Sequence, residues 1–193
     1  MITHLRGRLI EKSPTHAVIE CNGVGYQVNI TLNTYEKLPA DEAVFLHTHL
    51  QVREDAHTLY GFADATERAF FRLLIGVSGV GASTAQVVLS SMNPAELQQA
   101  LVTENVAAMQ SIKGIGAKTA QRIIIDLKGK AATLEIDGEI SLPMSNTARD
   151  EALTALDVLG FPKAKSQKVV DALLKNDPDS SVEVLIKKAL NNM

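Results

Sequence analysis

A chain of 193 residues that is 46% apolar is long enough to bury a core, and it has no apolar run of the roughly 18 residues a membrane-spanning helix needs. Its one cysteine, Cys21, excludes an internal disulfide, and Met1 to Arg6 lacks the layout of a secretion signal, so a reducing cytoplasm is expected. The net charge of −3 argues at first sight against a nucleic-acid partner, but residues 63–130 carry seven Lys/Arg against five Asp/Glu, while 1–62 carry five against seven and 131–193 seven against ten.

Residues 1–62 read as about five short strands. Tyr26, Val28 and Ile30 alternate onto one face, and Asn22-Gly23 has the composition of a tight hairpin turn. Val44, Leu46, Leu50 and Val52 share one face of a later strand with Thr48 between them, opposite His47, His49, Gln51 and Arg53. A last strand covers Thr58 to Phe62. Strands this short and this close predict a small OB-like β-barrel.

Glu54-Asp55 falls between the fourth and fifth strands, where the residues alone describe a solvated hairpin tip. Two adjacent acids lack a convergent third ligand for a catalytic metal. His47 and His49 have no nearby cysteine and no zinc-type spacing, so no metal is expected, and both are placed on a DNA-facing or subunit-facing surface. Cys21 reads as a small buried residue and not as a nucleophile.

From Asp64 the period becomes helical. Helices are predicted over 64–76, 82–91, 94–101, 104–111 and 117–128. Asp64 and Glu67 have capping-box spacing, Asn93-Pro94-Ala95-Glu96 is a strong helix start, and Gly129 is placed to end the last helix. Periodicity is lost over 131–147, with Gly138 and Pro143, and this stretch reads as a flexible linker. Residues 148–193 hold three short helices, separated at Gly160-Phe161-Pro162 and at Asn176-Asp177-Pro178-Asp179, which predicts a three-helix bundle. The fold class expected is α+β and multidomain: barrel, helical domain, linker, bundle.

The helical segment contains a repeat. Gly79-Val80-Gly81-Ala82-Ser83-Thr84-Ala85 returns as Gly114-Ile115-Gly116-Ala117-Lys118-Thr119-Ala120, identical at five of seven positions at an offset of 35. Two glycines around an aliphatic residue permit a tight turn, including positive φ, and a close backbone approach to a partner. The aliphatic residue can anchor the turn in the core. The helix that follows then starts with outward N–H groups, which with its dipole suit a phosphate. Such a contact reads the backbone of a nucleic acid and not its sequence. Lys118 and Arg122, four apart, can add charge-assisted bonds beside the second turn. One Gly-x-Gly alone is more often a plain helix–helix turn; two with matching flanks in the one basic segment favour binding. No strand precedes either turn and the spacing is not G-x-G-x-x-G, which disfavours a dinucleotide fold.

The repeat resembles paired helix–hairpin–helix motifs, and the whole chain resembles the RuvA family, the bacterial Holliday-junction-binding subunits of the branch-migration machinery. The resemblance is carried by Leu5-Arg6-Gly7, Gly23-Val24-Gly25-Tyr26, Val52-Arg53-Glu54-Asp55-Ala56, Leu59-Tyr60-Gly61-Phe62, both glycine turns and Leu159-Gly160-Phe161. It implies a non-catalytic, junction-binding homotetramer that acts in recombination, DNA repair and the SOS response to DNA damage, with no cofactor and no membrane association. It implies that Glu54 and Asp55 form an acidic pin at the junction centre, where carboxylates repel phosphates, with Arg53 beside a neighbouring phosphate. It implies DNA contacts from Gly79, Val80, Gly81, Ser83 and Thr84 in the first copy and from Gly114, Ile115, Gly116, Lys118, Thr119 and Arg122 in the second. Ser83 departs from the family pattern, which often has a basic residue near that position, and this implies a weaker electrostatic grip at the first turn. The bundle would recruit the RuvB motor ATPase, with Leu156, Leu159 and Phe161 as candidate contacts that can equally be core residues. ATP would be hydrolysed by RuvB, and the RuvC resolvase is admitted as a further partner. Two other readings stand beside this one. A helix–hairpin–helix repair enzyme, glycosylase or nuclease, would need an acid or lysine near a turn, for which Asp126 is the nearest acid. A protein scaffold would use the turns for packing alone.

Overall fold

The computed structural model describes residues 1–39, 43–134, 147–177 and 180–192. Most of the predicted linker, 131–147, lies outside the described residues. The chain divides into two compact units, Met1–Glu139 and Ile140–Met193.

The first unit opens with strands β1 (His4–Lys12), β2 (His16–Cys21) and β3 (Val24–Ile30), helix α1 (Leu32–Lys37), then β4 (Ala43–Val52) and β5 (His57–Phe62). The strands close into a barrel in the order β1-β2-β3-β5-β4, with β3 and β5 parallel and the other pairs antiparallel. Alternation puts Leu5, Ala17, Ile19, Val28, Ile30, Val44, Leu46 and Leu59 into one buried cluster. Asn22 and Gly23 both have positive φ, 50° and 84°, as the two-residue hairpin between β2 and β3 requires. Val52 is 62% exposed, against the expectation that it shares the inner face: it ends β4 at the hairpin, beyond buried Val44, Leu46 and Thr48 and half-buried Leu50.

Among the described residues six helices belong to this unit: α1 and then α2 (Ala65–Ile75), α3 (Ala82–Ser91), α4 (Pro94–Val102), α5 (Val106–Gln110) and α6 (Ala117–Ala131). α2 to α6 pack around Phe70, Phe71, Leu74, Leu89, Leu97, Leu101, Met109 and Ile123, all fully buried. α4 starts where the helix-start signal puts it, and its cap is a full capping box: the Asn93 side chain accepts from the Glu96 N–H at 2.9 Å, and the Glu96 carboxylate accepts from the Asn93 N–H at 2.9 Å. Gly129 does not end α6. The helix continues to Ala131, whose side chain is buried, and the Gln98 amide donates to the carbonyls of Ala131 (2.7 Å) and Leu134 (2.8 Å), satisfying the helix end.

α1, in a stretch read as all strand, is the piece that joins barrel to helices. Thr31 caps it, accepting from the Thr34 N–H at 3.0 Å. Asn33 donates to the carbonyls of Leu89 and of Met92 (3.1 Å) at the end of α3, and Gln86 donates to the Ile30 carbonyl at 2.7 Å. Beneath it lies Glu67. The predicted Asp64–Glu67 capping box is absent: Asp64 makes no side-chain cap bond and pairs instead with Lys37. Glu67 is fully buried, and its carboxylate accepts from the hydroxyls of Thr31 and of Thr34 (2.8 Å). Burial pushes its pKa up, and the Thr31 and Thr34 hydrogen bonds only partly oppose that.

The second unit holds α7 (Thr147–Val158), α8 (Lys163–Asn176) and α9 (Val182–Asn191), packed on Leu156, Val170 and Ala189. α7 ends in a Schellman motif: Gly160 has φ +87°, its N–H reaches the Asp157 carbonyl at 2.9 Å, and the Phe161 N–H reaches that of Leu156 at 3.0 Å. Among the described residues no helix is long and apolar enough to cross a membrane.

Candidate nucleic-acid interface

The two glycine turns have the same backbone. In the first, Val80 N–H bonds the Val77 carbonyl at 3.0 Å, Gly79 has φ +89°, and Gly81 stands at the N-cap of α3 with φ −86° and ψ 169°. In the second, Ile115 N–H bonds the Ile112 carbonyl at 3.1 Å, Gly114 has φ +90°, and Gly116 caps α6 with φ −81° and ψ 168°. Val77, Val80, Ile112 and Ile115 are all buried in the helical core, so each turn is pinned from beneath by two apolar side chains.

Within each turn the two glycines answer different demands. At Gly79 and Gly114 any L side chain would be strained by the positive φ. At Gly81 and Gly116 the dihedrals suit any residue, and an added Cβ would meet nothing within 4 Å. The fold therefore does not require glycine there; what a bare backbone provides is room for something outside the chain. Neither cap residue supplies a side-chain acceptor, so the first N–H groups of α3 and α6 are left to an outside acceptor. Outward N–H groups, positive dipole ends and open space together suit an anionic oxygen.

Ser83 and Lys118 are exposed beside the caps, and Thr84 and Thr119 are half-buried. Arg122 is not where the repeat places it. Its Nη1 donates to the Ser78 carbonyl at 3.2 Å and to the Ser78 hydroxyl at 3.4 Å, so the guanidinium of the second copy's helix lies against the first copy's turn. Ser78 and its counterpart Lys113, also exposed, escaped the sequence reading because the repeat was opened at the glycine; one residue further upstream pairs them.

The tip of the β4–β5 hairpin is closed by the Arg53 N–H on the Ala56 carbonyl at 2.8 Å. Arg53, Glu54 and Asp55 are all exposed there, and none is ion-paired within the described residues. His49 is half-buried: its ring packs on Phe71 of α2 at 5.4 Å, and burial, with Arg72 and Arg68 nearby, holds its pKa below the usual imidazole value. His47 stands edge-on to Phe45 at 4.9 Å. No group of three or more His, Cys, Asp or Glu able to hold a metal occurs among the described residues. Cys21 is half-buried and its thiol donates to the Arg6 carbonyl at 3.3 Å. Asp126 is exposed on α6.

In the second unit Leu156 is fully buried, which corrects its place among candidate contact residues: its side chain is bundle core. Phe161 is half-buried against that core. Leu159 is 57% exposed beside Val158 at 82%, an apolar pair open to solvent at the end of α7.

Comparison with known proteins covers nearly the whole chain. Residues 1–61 match the family model described as the RuvA N terminal domain, 71–129 the SAM-like helix-hairpin-helix tandem, and 147–193 the RuvA C-terminal domain. The chain is 56% identical over 193 residues to the Holliday junction branch migration complex subunit RuvA of Christiangramia forsetii and 52% identical over 193 residues to that of Flavobacterium psychrophilum, with all of each chain covered. The protein of the same name from Bacteroides thetaiotaomicron is 49% identical over a 201-residue alignment that also covers all of both chains.

Proposed function

Because the chain belongs to the RuvA family of Holliday junction branch migration complex subunits, we propose that it binds four-way junction DNA without cutting it and serves as the DNA-binding subunit of a branch migration complex in recombination and repair. The observation that carries this reading is the pair of glycine turns, identical in backbone, each ending in an uncapped helix start with open space at its second glycine. Two such sites on one rigid helical core suit two phosphates of one duplex arm, through Gly79 to Thr84 and Gly114 to Thr119. The contacts position the protein on backbone and leave sequence unread, as a subunit that must follow a moving junction requires.

The exposed Glu54-Asp55 tip gives the same protein its preference for a crossover. Carboxylates set among converging backbones repel phosphates and disfavour collapse of the strands onto one another, while Arg53 holds a neighbouring phosphate. A cyclic homotetramer matches a junction of four equivalent arms and brings four such tips to its centre. The bundle recruits the RuvB motor ATPase through Val158 and Leu159, with Phe161 as their backing, and the energy of migration comes from ATP hydrolysed by that partner. The RuvC resolvase is a further partner, and the site of action is the bacterial cytoplasm.

The test is a gel-shift comparison of a four-way junction and a linear duplex of the same sequence across salt, with the mass of the complex measured by light scattering. Junction preference, affinity that falls steeply with salt and a mass built on a tetramer are expected. Equal affinity for both DNAs, salt-indifferent binding or cleavage of either DNA would contradict the proposal.

A further inference from the structure

Lys113 and Lys118 flank the second glycine turn, and the same positions of the first turn are Ser78 and Ser83. The first turn nevertheless has a cation. Arg122 reaches it from α6 and is held there by the Ser78 carbonyl (3.2 Å) and hydroxyl (3.4 Å). Both bonds use Nη1 alone, and no bond occupies Nε or Nη2 within the described residues, so one end of the guanidinium is anchored and the rest of the fork stays exposed. That is the form in which arginine recognises a phosphate oxygen pair. The arrangement has no mirror image: the position 35 residues before Arg122 is Val87, so nothing is lent from α3 to the second turn. It also accounts for Ser78. A lysine here, as at Lys113, would bring a second cation against Arg122.

We infer that Arg122, though part of the second motif, completes the phosphate site of the first, with Ser78 as the residue that positions it. This rests on the reading of the two turns as phosphate sites. It replaces the picture of a weak first hairpin by one in which cationic charge is shared across the motifs.

The experiment is a pair of double-mutant cycles on four-way junction affinity with the full chain, each variant first checked by its thermal melt. Arg122→Gln keeps an N–H for the Ser78 carbonyl and removes the charge; it is expected to weaken binding by about tenfold and to lower the salt slope by about 0.9. In a Gly81→Val background, where the first site is already blocked, the same change is expected to cost less than about threefold; in a Gly116→Val background it is expected to keep its full cost of about tenfold. Ser78→Lys is expected to return Arg122→Gln to within about threefold of the unaltered protein, a rescue that a purely structural Arg122–Ser78 contact would not give. A full cost in the Gly81→Val background together with a reduced one in Gly116→Val would overturn the assignment, as would failure of the lysine rescue. If neither glycine variant weakens binding, the phosphate reading of the turns itself fails and the assignment falls with it.

Discussion

The first and second glycine turns match in the dihedrals of their glycines and differ in their charges. Gly79 and Gly114 differ by one degree in φ, and Gly81 and Gly116 have nearly the same φ and ψ. Around them, Lys113 and Lys118 stand at the second turn, and Ser78, Ser83 and the visiting Arg122 at the first. Repetition in the chain reproduces a backbone, because glycine placement and apolar anchors dictate it locally. Charge need not be repeated in the same place, because a long side chain from a neighbouring helix can supply it.

The comparison breaks most visibly if the glycines of each pair are exchanged for larger residues. Gly79→Val and Gly114→Val force a branched side chain into positive φ and are each expected to lower stability by about 1–3 kcal/mol in urea unfolding, and to weaken junction binding with it. Gly81→Val and Gly116→Val are expected to leave stability within about 0.5 kcal/mol and still weaken binding. Equal stability losses at all four positions would mean that the second glycines serve packing and not a partner.

The helix leading into the first turn, α2, is fastened to α1 by Glu67, and this too can be tested. Glu67→Ala leaves two buried threonine hydroxyls without their acceptor and is expected to cost about 1–3 kcal/mol. Glu67→Gln keeps an acceptor without the buried charge. The carboxyl pKa is raised by folding, so the ionised form is the disfavoured one. Stability from this group is therefore highest at low pH, declines as pH rises from the unfolded value through the folded one, and is flat above it. Urea unfolding against pH should show this decline in the unaltered protein and lose it in Glu67→Gln.

Smaller effects sharpen the contrast between grip and repulsion. Glu54→Gln with Asp55→Asn is expected to leave junction affinity unchanged or tighten it by a few-fold, while reducing the preference for junction over duplex. A protein that no longer folds would give the acids a structural role instead. Lys118→Ala removes one cation from the second turn and is expected to lower the slope of log affinity against log salt by about 0.9. Ser83→Lys should raise it by a similar amount at the first.

What could be read from the sequence follows from how local its cause is. The three later strands β3 to β5, the helices α2 to α6 and the helix start at Asn93 follow from alternation, period and turn chemistry, and they stand close to where those signals put them; β1 and β2 are expected only by number. α1 was invisible because six residues with one buried side chain, Thr34, leave no helical period to detect. Glu67 has the spacing of a capping residue and is a buried acceptor because two threonines at the start of α1, 33 and 36 residues earlier, donate to it. Arg122 was assigned to its own motif because sequence shows neighbours four apart and not a contact across 44 residues. For Leu156 the sequence leaves contact residue and core residue equally open, and packing of three helices decides for the core. In every such case the deciding partner comes from another element of the fold.

If two bare-backbone turns hold the DNA, the junction dissociation constant of the Gly81→Val, Gly116→Val double variant at fixed salt, taken beside its melting temperature, shows it. Each turn lost removes a charge-assisted contact of about 1.5–3 kcal/mol, so affinity is expected to fall by about 100-fold or more with the melting temperature unchanged. Unchanged junction affinity in a folded double variant would contradict the account.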